Sequence, residues 1–271
     1  SNKVLFDSPA KVDELSHRIN RFIWTRLLET SASFKALPPE VIPVNEMTRN
    51  VHGDLVKMIS IEPGSTEPVI QGDPDLNGRR GARVEIPLVR FESPWYKGDV
   101  GDHLDPQFTR IIEDSICRPM SKALDHAFFK LCKIAAEKSG NAQKVHRGES
   151  GKDILLHGFN SIDRNRLSSY MTVCGKDFHN KIHEGGPATE GPKQFGEAIM
   201  GKQFVVSINQ DLFKDDIYFF SAPKYLGKNY IMDTMQFNID QKFSKIEFDF
   251  HLDQALALIN TAAVGVVTLV D

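Results

Sequence analysis

The residues whose types and spacing most resemble a chemical site are Cys174, His179 and His183. Their C-x4-H-x3-H spacing brings together one thiol and two imidazoles, which are ligands that zinc prefers in proteins. A structural zinc site needs a fourth ligand, and no C-x2-C pair supplies one. Asp177 and Glu184 are acids of the kind found in many loops. The pattern therefore favours a surface loop, and a metal-dependent hydrolase using His179, His183 and a nearby acid is the less favoured alternative.

A second stretch resembles the first half of a calcium-binding loop. Residues 73–78 read Asp-Pro-Asp-Leu-Asn-Gly, which places carboxylate and amide oxygens at alternate positions. The pattern requires a glutamate six residues after the glycine, where this chain has Val84. Arg79 and Arg80 would also bring positive charge beside the ion. The stretch predicts a solvated turn rather than a metal site.

Motifs for covalent catalysis and for phosphate binding do not occur in the sequence. No serine lies in G-x-S-x-G, and neither G-x-x-x-x-G-K-[ST] nor G-x-G-x-x-G after a strand is found. We therefore predict a protein that is not an enzyme, with no catalytic residue, no metal and no cofactor.

The composition is that of a folded protein with nearly balanced charge. The 271 residues are 41% hydrophobic, with 33 Lys and Arg against 36 Asp and Glu, a formal net charge of −3. A dedicated reader of nucleic acid would show a strongly basic surface, so this class is not favoured. Three scattered cysteines predict buried thiols rather than disulfides. We expect no secretory leader and no membrane span, since the longest apolar run, 262–270, has about half the length that a span requires.

The first hundred residues predict an arm and a long hairpin. One amphipathic helix is expected within residues 1–36, followed by an extended strap after Pro38 and Pro39. Stretches 55–61 and 82–91 both read as strands, and a polar, turn-rich segment separates them. Pairing of these two strands predicts a long two-stranded excursion, which is marginal unless it lies against a neighbour.

The strongest element in the sequence is a long helix. Asp105 and Pro106 provide an N-cap and a favourable first helical residue, and an apolar stripe with a period of 3.6 residues then continues until Gly140 ends the helix. Pro119 lies inside this segment and is expected to bend it.

The second half predicts loops, one helix and a run of strands. We expect a linker at 141–160, a helix at 161–174 and an irregular loop at 175–197. Strands are expected at 203–208, 216–220, 235–239 and 245–252, with a buried strand at the C-terminal apolar run. The last of the four alternates strictly, with Ile246, Phe248, Phe250 and Leu252 on one face and acids and a histidine on the other, so it predicts a half-buried antiparallel strand.

This order of elements resembles the major capsid protein of tailed phages, which has the Hong Kong 97-like fold that encapsulins share. The helix 105–140, the stretches 197–207 and 216–227, and the ending 242–264 carry the likeness. The resemblance implies an α+β fold divided into five parts. These are an N-terminal arm (1–44), an extended-loop hairpin with flanking peripheral-domain strands (45–102), a spine helix of the peripheral domain (103–140), an axial domain (141–235), and a C-terminal peripheral-domain strand with the axial-domain terminus (236–271).

The resemblance also implies a function, which is self-assembly into pentamers and hexamers of an icosahedral shell around the phage genome. Its expected partners are other copies of the chain, scaffolding, portal and decoration proteins, and double-stranded DNA held by non-specific contact. The expected location is the virion, after assembly in the host cytoplasm. Two alternatives remain open, an encapsulin-type nanocompartment that holds protein cargo and a ring- or tube-forming tail or connector protein, although the long helix argues against a tail tube. The residues predicted to contact neighbouring subunits are Phe22, Trp24, Lys57, Arg79, Arg80, Arg83 and Arg90. For the four arginines, which cluster on the predicted hairpin, a solvated turn is the open alternative.

Overall fold

A computed structural model describes residues 9–43, 49–53, 59–61, 68–69, 82–86, 88–99, 108–184, 198–199, 201–232, 236–242 and 245–271. Its helices are α1 (Pro9–Thr30), α2 (Ala32–Ala36), α3 (Phe108–Ile112), α4 (Arg118–Ser139), α5 (Gly151–Asp163), α6 (Lys176–Glu184) and α7 (Pro223–Leu226). Its strands are β1 (Glu40–Ile42), β2 (Arg49–Gly53), β3 (Ile59–Ile61), β4 (Pro68–Val69), β5 (Ala82–Ile86), β6 (Val89–Glu92), β7 (Tyr96–Asp99), β8 (Ala142–His146), β9 (Ser169–Cys174), β10 (Ala198–Ile199), β11 (Lys202–Val206), β12 (Asp216–Ser221), β13 (Gly227–Met232), β14 (Gln236–Lys242), β15 (Lys245–Leu258) and β16 (Val264–Val270). None of the helices described is long and apolar enough to cross a bilayer.

The predicted long helix is confirmed over residues 108–139 and is here called the long helix. It consists of α3, a π-helical turn at Glu113–Cys117, and α4. Gly140 ends it with φ +71°, the left-handed conformation that glycine adopts without strain. The irregularity expected near Pro119 takes the form of the π turn. Proline has no N–H to donate to the carbonyl of Ser115 four residues earlier, and that carbonyl accepts a 2.5 Å hydrogen bond from the Tyr96 hydroxyl instead.

A mixed six-stranded sheet lies against the long helix, in the order β10-β11-β9-β12-β16-β8. Alternate residues of β12 explain why both faces of this sheet are covered. Tyr218 and Phe220 belong to the core cluster shared with the long helix, whereas Ile217 and Phe219 belong to a second cluster shared with α5 and α6. The predicted strands at 203–208 and 216–220 and the buried C-terminal strand are therefore confirmed.

A second sheet of eight described strands is built around β15. β14 and β13 pair with it on one side and β7, β6 and β3 on the other, while β1 extends the sheet beyond β13 and β4 beyond β3. The predicted strands at 235–239 and 245–252 are confirmed, and Phe248, Phe250 and Leu252 are buried as expected. The polar face differs from the prediction, since Asp249 is only 2% exposed. It lies on a central strand with neighbours on both sides, opposite Asn238.

The predicted pairing of the long hairpin is wrong within the described residues. Ala82–Ile86 pairs with Arg49–Gly53 rather than with the 55–61 stretch. Ile59–Ile61 pairs instead with Pro68–Val69 and with the end of β15. Strand pairing depends on distant partners, and the polar segment between two strands does not specify them. The calcium-like stretch 73–78 lies outside the described residues.

The region 141–184 also differs from the prediction. The expected linker contains β8 and α5, the expected helix at 161–174 is the end of α5 followed by β9, and the first part of the expected loop is α6. Ser150 begins α5 by accepting a hydrogen bond from the backbone N–H of Asp153 at 3.2 Å. Ile154, Leu155, Phe159 and Ile162 then form a buried stripe at helical spacing.

The N-terminal helices pack against the body of the protein. Ile19, Ile23 and Leu27 of α1 and Phe34 of α2 are buried in the same core cluster as the long helix and both large sheets. The expected helix is present, and it is interrupted at Ser31 between α1 and α2.

Candidate assembly surfaces

Two of the predicted contact residues lie on α1 and are half-buried within the chain itself. Phe22 and Trp24 pack against the core cluster, and the Trp24 ring lies 5.9 Å from that of Phe34 at an interplanar angle of 57°. Much of each ring is therefore engaged inside the subunit, so only the remaining exposed part is open to a neighbour. Their role as intersubunit contacts stays a prediction.

Arg90 lies on β6, directly opposite Asp253 on β15. Its Nε and Nη2 donate to the two carboxylate oxygens of Asp253 at 2.8 and 2.9 Å, a bidentate pair. This hydrogen bonding with Asp253 raises the pKa of Arg90 above its ordinary value. The side chain is 55% exposed, so its outer edge faces solvent although its charge is already paired.

The other predicted contact residues lie where side chains are not described. Lys57, Arg79 and Arg80 fall outside the described residues, and for Arg83 only the backbone is described, paired with His52 in the β2–β5 ribbon.

The zinc-like spacing does not produce a metal cluster in the part of the chain that the structure describes. Cys174 ends β9 and is fully buried, and burial raises the pKa of its thiol far above the ordinary value. His179 lies on α6 with its ring 5.9 Å from that of Phe204. The side chain of His183 is outside the described residues. The expectation of buried thiols is confirmed, since Cys117, Cys132 and Cys174 are all free and buried.

A buried carboxylate on α4, which the sequence reasoning missed, joins three separate segments. Oδ1 of Asp125 accepts hydrogen bonds from the Ser31 hydroxyl at 2.7 Å and the Ser33 N–H at 2.9 Å. Oδ2 accepts from the Ala32 N–H at 3.2 Å and from the Asn209 amide at 2.7 Å. The α1–α2 junction and the loop after β11 are thus both attached to the middle of the long helix.

Burial dominates the electrostatics of this cluster. It raises the pKa of Asp125 above its ordinary value, although hydrogen bonds from Ser33, Ser31 and Ala32 oppose that shift. Lys35, half-buried on α2, has its pKa lowered by burial while its attraction to Asp125 acts in the opposite direction. The sequence did carry a signal for this site: Asp125 lies one turn from Ser121 and from Phe128 on the apolar side of the helix, where a polar residue must be buried with partners.

Two further connections fix the ends of the long helix. Near its start, Arg26 of α1 bonds Glu113 of the π turn at 2.5 Å and Glu29 at 2.7 Å. Just past its end, Asn141 is fully buried, and its amide donates to the carbonyls of Ala262 and Val264 at 3.1 and 3.0 Å.

The side-chain oxygen of Asn141, Oδ1, completes this connection. It accepts from the Arg164 guanidinium at 2.8 Å and from the Asn165 amide at 3.1 Å. One buried side chain therefore joins the end of the long helix, the end of α5 and the start of β16.

These contacts hold the long helix at three points along its length. The long helix is attached at its start, middle and end, by Glu113, Asp125 and the adjoining Asn141, to the N-terminal helices, the loop after β11 and the C-terminal strand. Asp125 and Asn141 are buried and hydrogen-bonded, so an arrangement that left either of them unpaired would be costly. This geometry connects the long helix to distant parts of the chain at three places.

The described fold is that of phage capsid proteins. No family model and no curated protein matches the sequence. The fold matches the capsid protein of Mycobacterium phage Adephagia with a TM-score of 0.61 and 11% identity, over 89% of this chain and 91% of that one. It matches the capsid protein of Microbacterium phage Oxtober96 with a TM-score of 0.60 and 12% identity over the same shares. A virus-like particle from Pyrococcus furiosus matches with a TM-score of 0.51 and 10% identity over 94% of this chain and 99% of that one.

The chain thus has the fold of tailed-phage major capsid proteins and of encapsulin-like particles, as the sequence resemblance implied. These structural neighbours are shell proteins and not enzymes. At such low identity the likeness concerns the fold and not particular residues.

Proposed function

We propose that this protein is the major capsid subunit of a phage-like icosahedral shell, and that it acts by assembling with copies of itself. The observation that carries the proposal is the fold match over about nine-tenths of both chains. The triple attachment of the long helix supports it, because a subunit that transmits force between neighbours has to resist bending.

The finer form of the proposal follows the expected division of the chain. The N-terminal arm and the extended loop overlap neighbouring subunits, and the axial parts meet around symmetry axes in pentamers and hexamers. Phe22, Trp24, Lys57, Arg79, Arg80, Arg83 and Arg90 are proposed contact residues. The shell encloses double-stranded DNA in the virion after assembly in the host cytoplasm, and scaffolding, portal and decoration proteins are the proposed partners.

A nanocompartment that encloses protein is the second candidate. It is supported by the match to the chain of a virus-like particle, which covers 99% of that chain and 94% of this one. The two functions differ in their contents and not in the subunit's task.

Expression of the chain followed by light scattering and negative-stain electron microscopy tests the proposal. Closed shells or ring-shaped capsomers are the expected result, and a monodisperse monomer with and without co-expressed scaffold would contradict it. Nuclease-protected DNA inside particles from infected cells favours the capsid, whereas a single co-purifying enzyme inside the particles favours the nanocompartment.

A further inference from the structure

A cleft of about 330 Å³ opens where the turn after α5 meets the end of β12 and α7. Two aromatic side chains stand at its mouth, Tyr170 at 38% exposure and Tyr225 at 45%. The residues that line it are Arg166, Leu167, Ser168, Ser169, Tyr170, Ser221, Ala222 and Tyr225. This surface takes no part in the connections that hold the long helix, so its composition calls for another explanation.

The cleft carries positive charge and several hydroxyls, of which that of Ser221 already donates to the Ser168 carbonyl at 3.1 Å. Arg166 is exposed and lies in no ion pair within the described residues, and the Lys224 ammonium is 4.7 Å from the centre of the Tyr225 ring. Ser169 is 2% exposed, and its hydroxyl has no hydrogen-bond partner in the described part of the chain. Asp163 already accepts a hydrogen bond from the Ser169 N–H at 3.3 Å. Unpaired cations beside hydroxyl donors match a carboxylate.

The backbone at Arg166 gives independent support. Among the described residues, Arg166 is the only one other than glycine with a positive φ, +59°. A glycine would adopt this conformation without strain, so the arginine side chain is present despite a conformational cost.

The size of the cleft decides what class of molecule enters it. Its volume is at the lower end of the range for pockets that hold drug-sized ligands, roughly 300–1,000 Å³, which accommodates a short peptide segment and excludes a DNA duplex. Tyrosine, serine and arginine are also the residues that protein-binding surfaces favour.

We propose that the cleft receives a carboxylate-bearing segment of a second copy of this chain. The inference rests on the proposed shell function, which surrounds each subunit with identical neighbours. Charge complementarity supports this occupant, because a second copy presents exposed carboxylates to a positively charged cleft. Glu14 and Asp177 are exposed carboxylates outside any ion pair within the described residues. The contact is head-to-tail, since the cleft meets a different surface of its neighbour.

Zero-length carbodiimide coupling of assemblies made from mixed ¹⁴N- and ¹⁵N-labelled chains tests the proposal. The expected product joins Lys224 to an aspartate or glutamate in a peptide pair of mixed isotope label, which only two different copies yield. Tyr170 and Tyr225 are expected to become less reactive towards iodination on assembly. Assemblies in which both tyrosines stay fully reactive, or become protected only when DNA or another protein is added, would overturn the inference while leaving the shell function standing. A chain that never assembles would contradict both.

Paired variants separate contact from folding. Arg166→Gly relieves the strained backbone, so it should fold at least as stably as the natural chain yet raise the concentration needed for assembly on the order of tenfold. Arg166→Lys should retain most of the assembly because it keeps the charge. Tyr225→Ala should weaken assembly and Tyr225→Phe should not. Equal assembly of Arg166→Gly and the natural chain would exclude the cleft as a contact.

Discussion

Replacing Asp125 with asparagine isolates the role of the buried carboxylate without changing its shape. In either orientation the new amide NH2 faces a backbone N–H, that of Ala32 or of Ser33, which then has no acceptor. The Ser31 hydroxyl can rotate to accept a hydrogen bond, so one orientation leaves a single unsatisfied donor. One backbone N–H is therefore left without an acceptor.

One buried unsatisfied N–H costs about 1–3 kcal/mol, and the remaining hydrogen bonds lose the strengthening that a charged acceptor provides. The variant also avoids the desolvation of a buried charge, which returns part of the loss. We expect the free energy of unfolding to fall by about 2–4 kcal/mol.

Urea unfolding of the unassembled chain, followed by tryptophan fluorescence, measures this change. Part of the signal is local, because one of the two tryptophans, Trp24, lies on α1 against Phe34 of α2, next to the cluster, while Trp95 is 53% exposed. Glu137→Gln is the matched control, since it neutralises an exposed acid on the same helix and should change stability by less than about 0.5 kcal/mol. A loss for Asp125→Asn as small as the control's would refute the view that this carboxylate attaches the N-terminal segment.

Three further predictions concern packing, the end of the long helix and the thiols. Gly158→Ala should lower the free energy of unfolding by about 2–3 kcal/mol in a thermal or urea experiment, because a Cβ there would lie 2.1 Å from the buried Phe219 ring. The control His157→Ala, on the exposed side of α5, should leave the stability nearly unchanged. A Gly158→Ala variant more stable than the natural chain would contradict the packing of Gly158 against Phe219. Asn141→Ala should lower the unfolding free energy by about 2–4 kcal/mol, since the carbonyls of Ala262 and Val264 lose their donor, and an unchanged urea midpoint would contradict the proposed connection. Burial raises the pKa of Cys117 to about 12, so at pH 8 only about 10⁻⁴ of this thiol is expected to be thiolate. The native chain should therefore not react with Ellman's reagent, whereas the unfolded chain should show three reactive thiols. Rapid reaction of the native chain would show that the thiols are accessible.

Elements with strong local signals were predictable from the sequence. The stripe ending at Gly140 predicted the long helix, and the alternation through Phe248, Phe250 and Leu252 predicted the central strand. In both cases neighbouring residues alone carry the information, since the apolar period and the terminating glycine lie within the element.

Features that depend on distant partners were not predictable in the same way. The partner of Ala82–Ile86 is set by pairing across the chain, and the burial of Asp249 follows from strands on both of its sides. The cap at Ser150 was a local signal, but the polar residues around it obscured the helix that it begins. The place of Asp125 on the apolar side of its helix signals burial, but its partners and the carbonyls that Asn141 binds lie more than 80 residues away, so only the folded structure identifies them.

The central claim is that copies of this chain form a closed shell, and electron microscopy of the purified protein tests it most directly. We expect closed particles of uniform diameter, or five- and six-fold rings that close when scaffold is supplied. A protein that remains monomeric at high concentration, with scaffold present and the fold intact, would contradict the account.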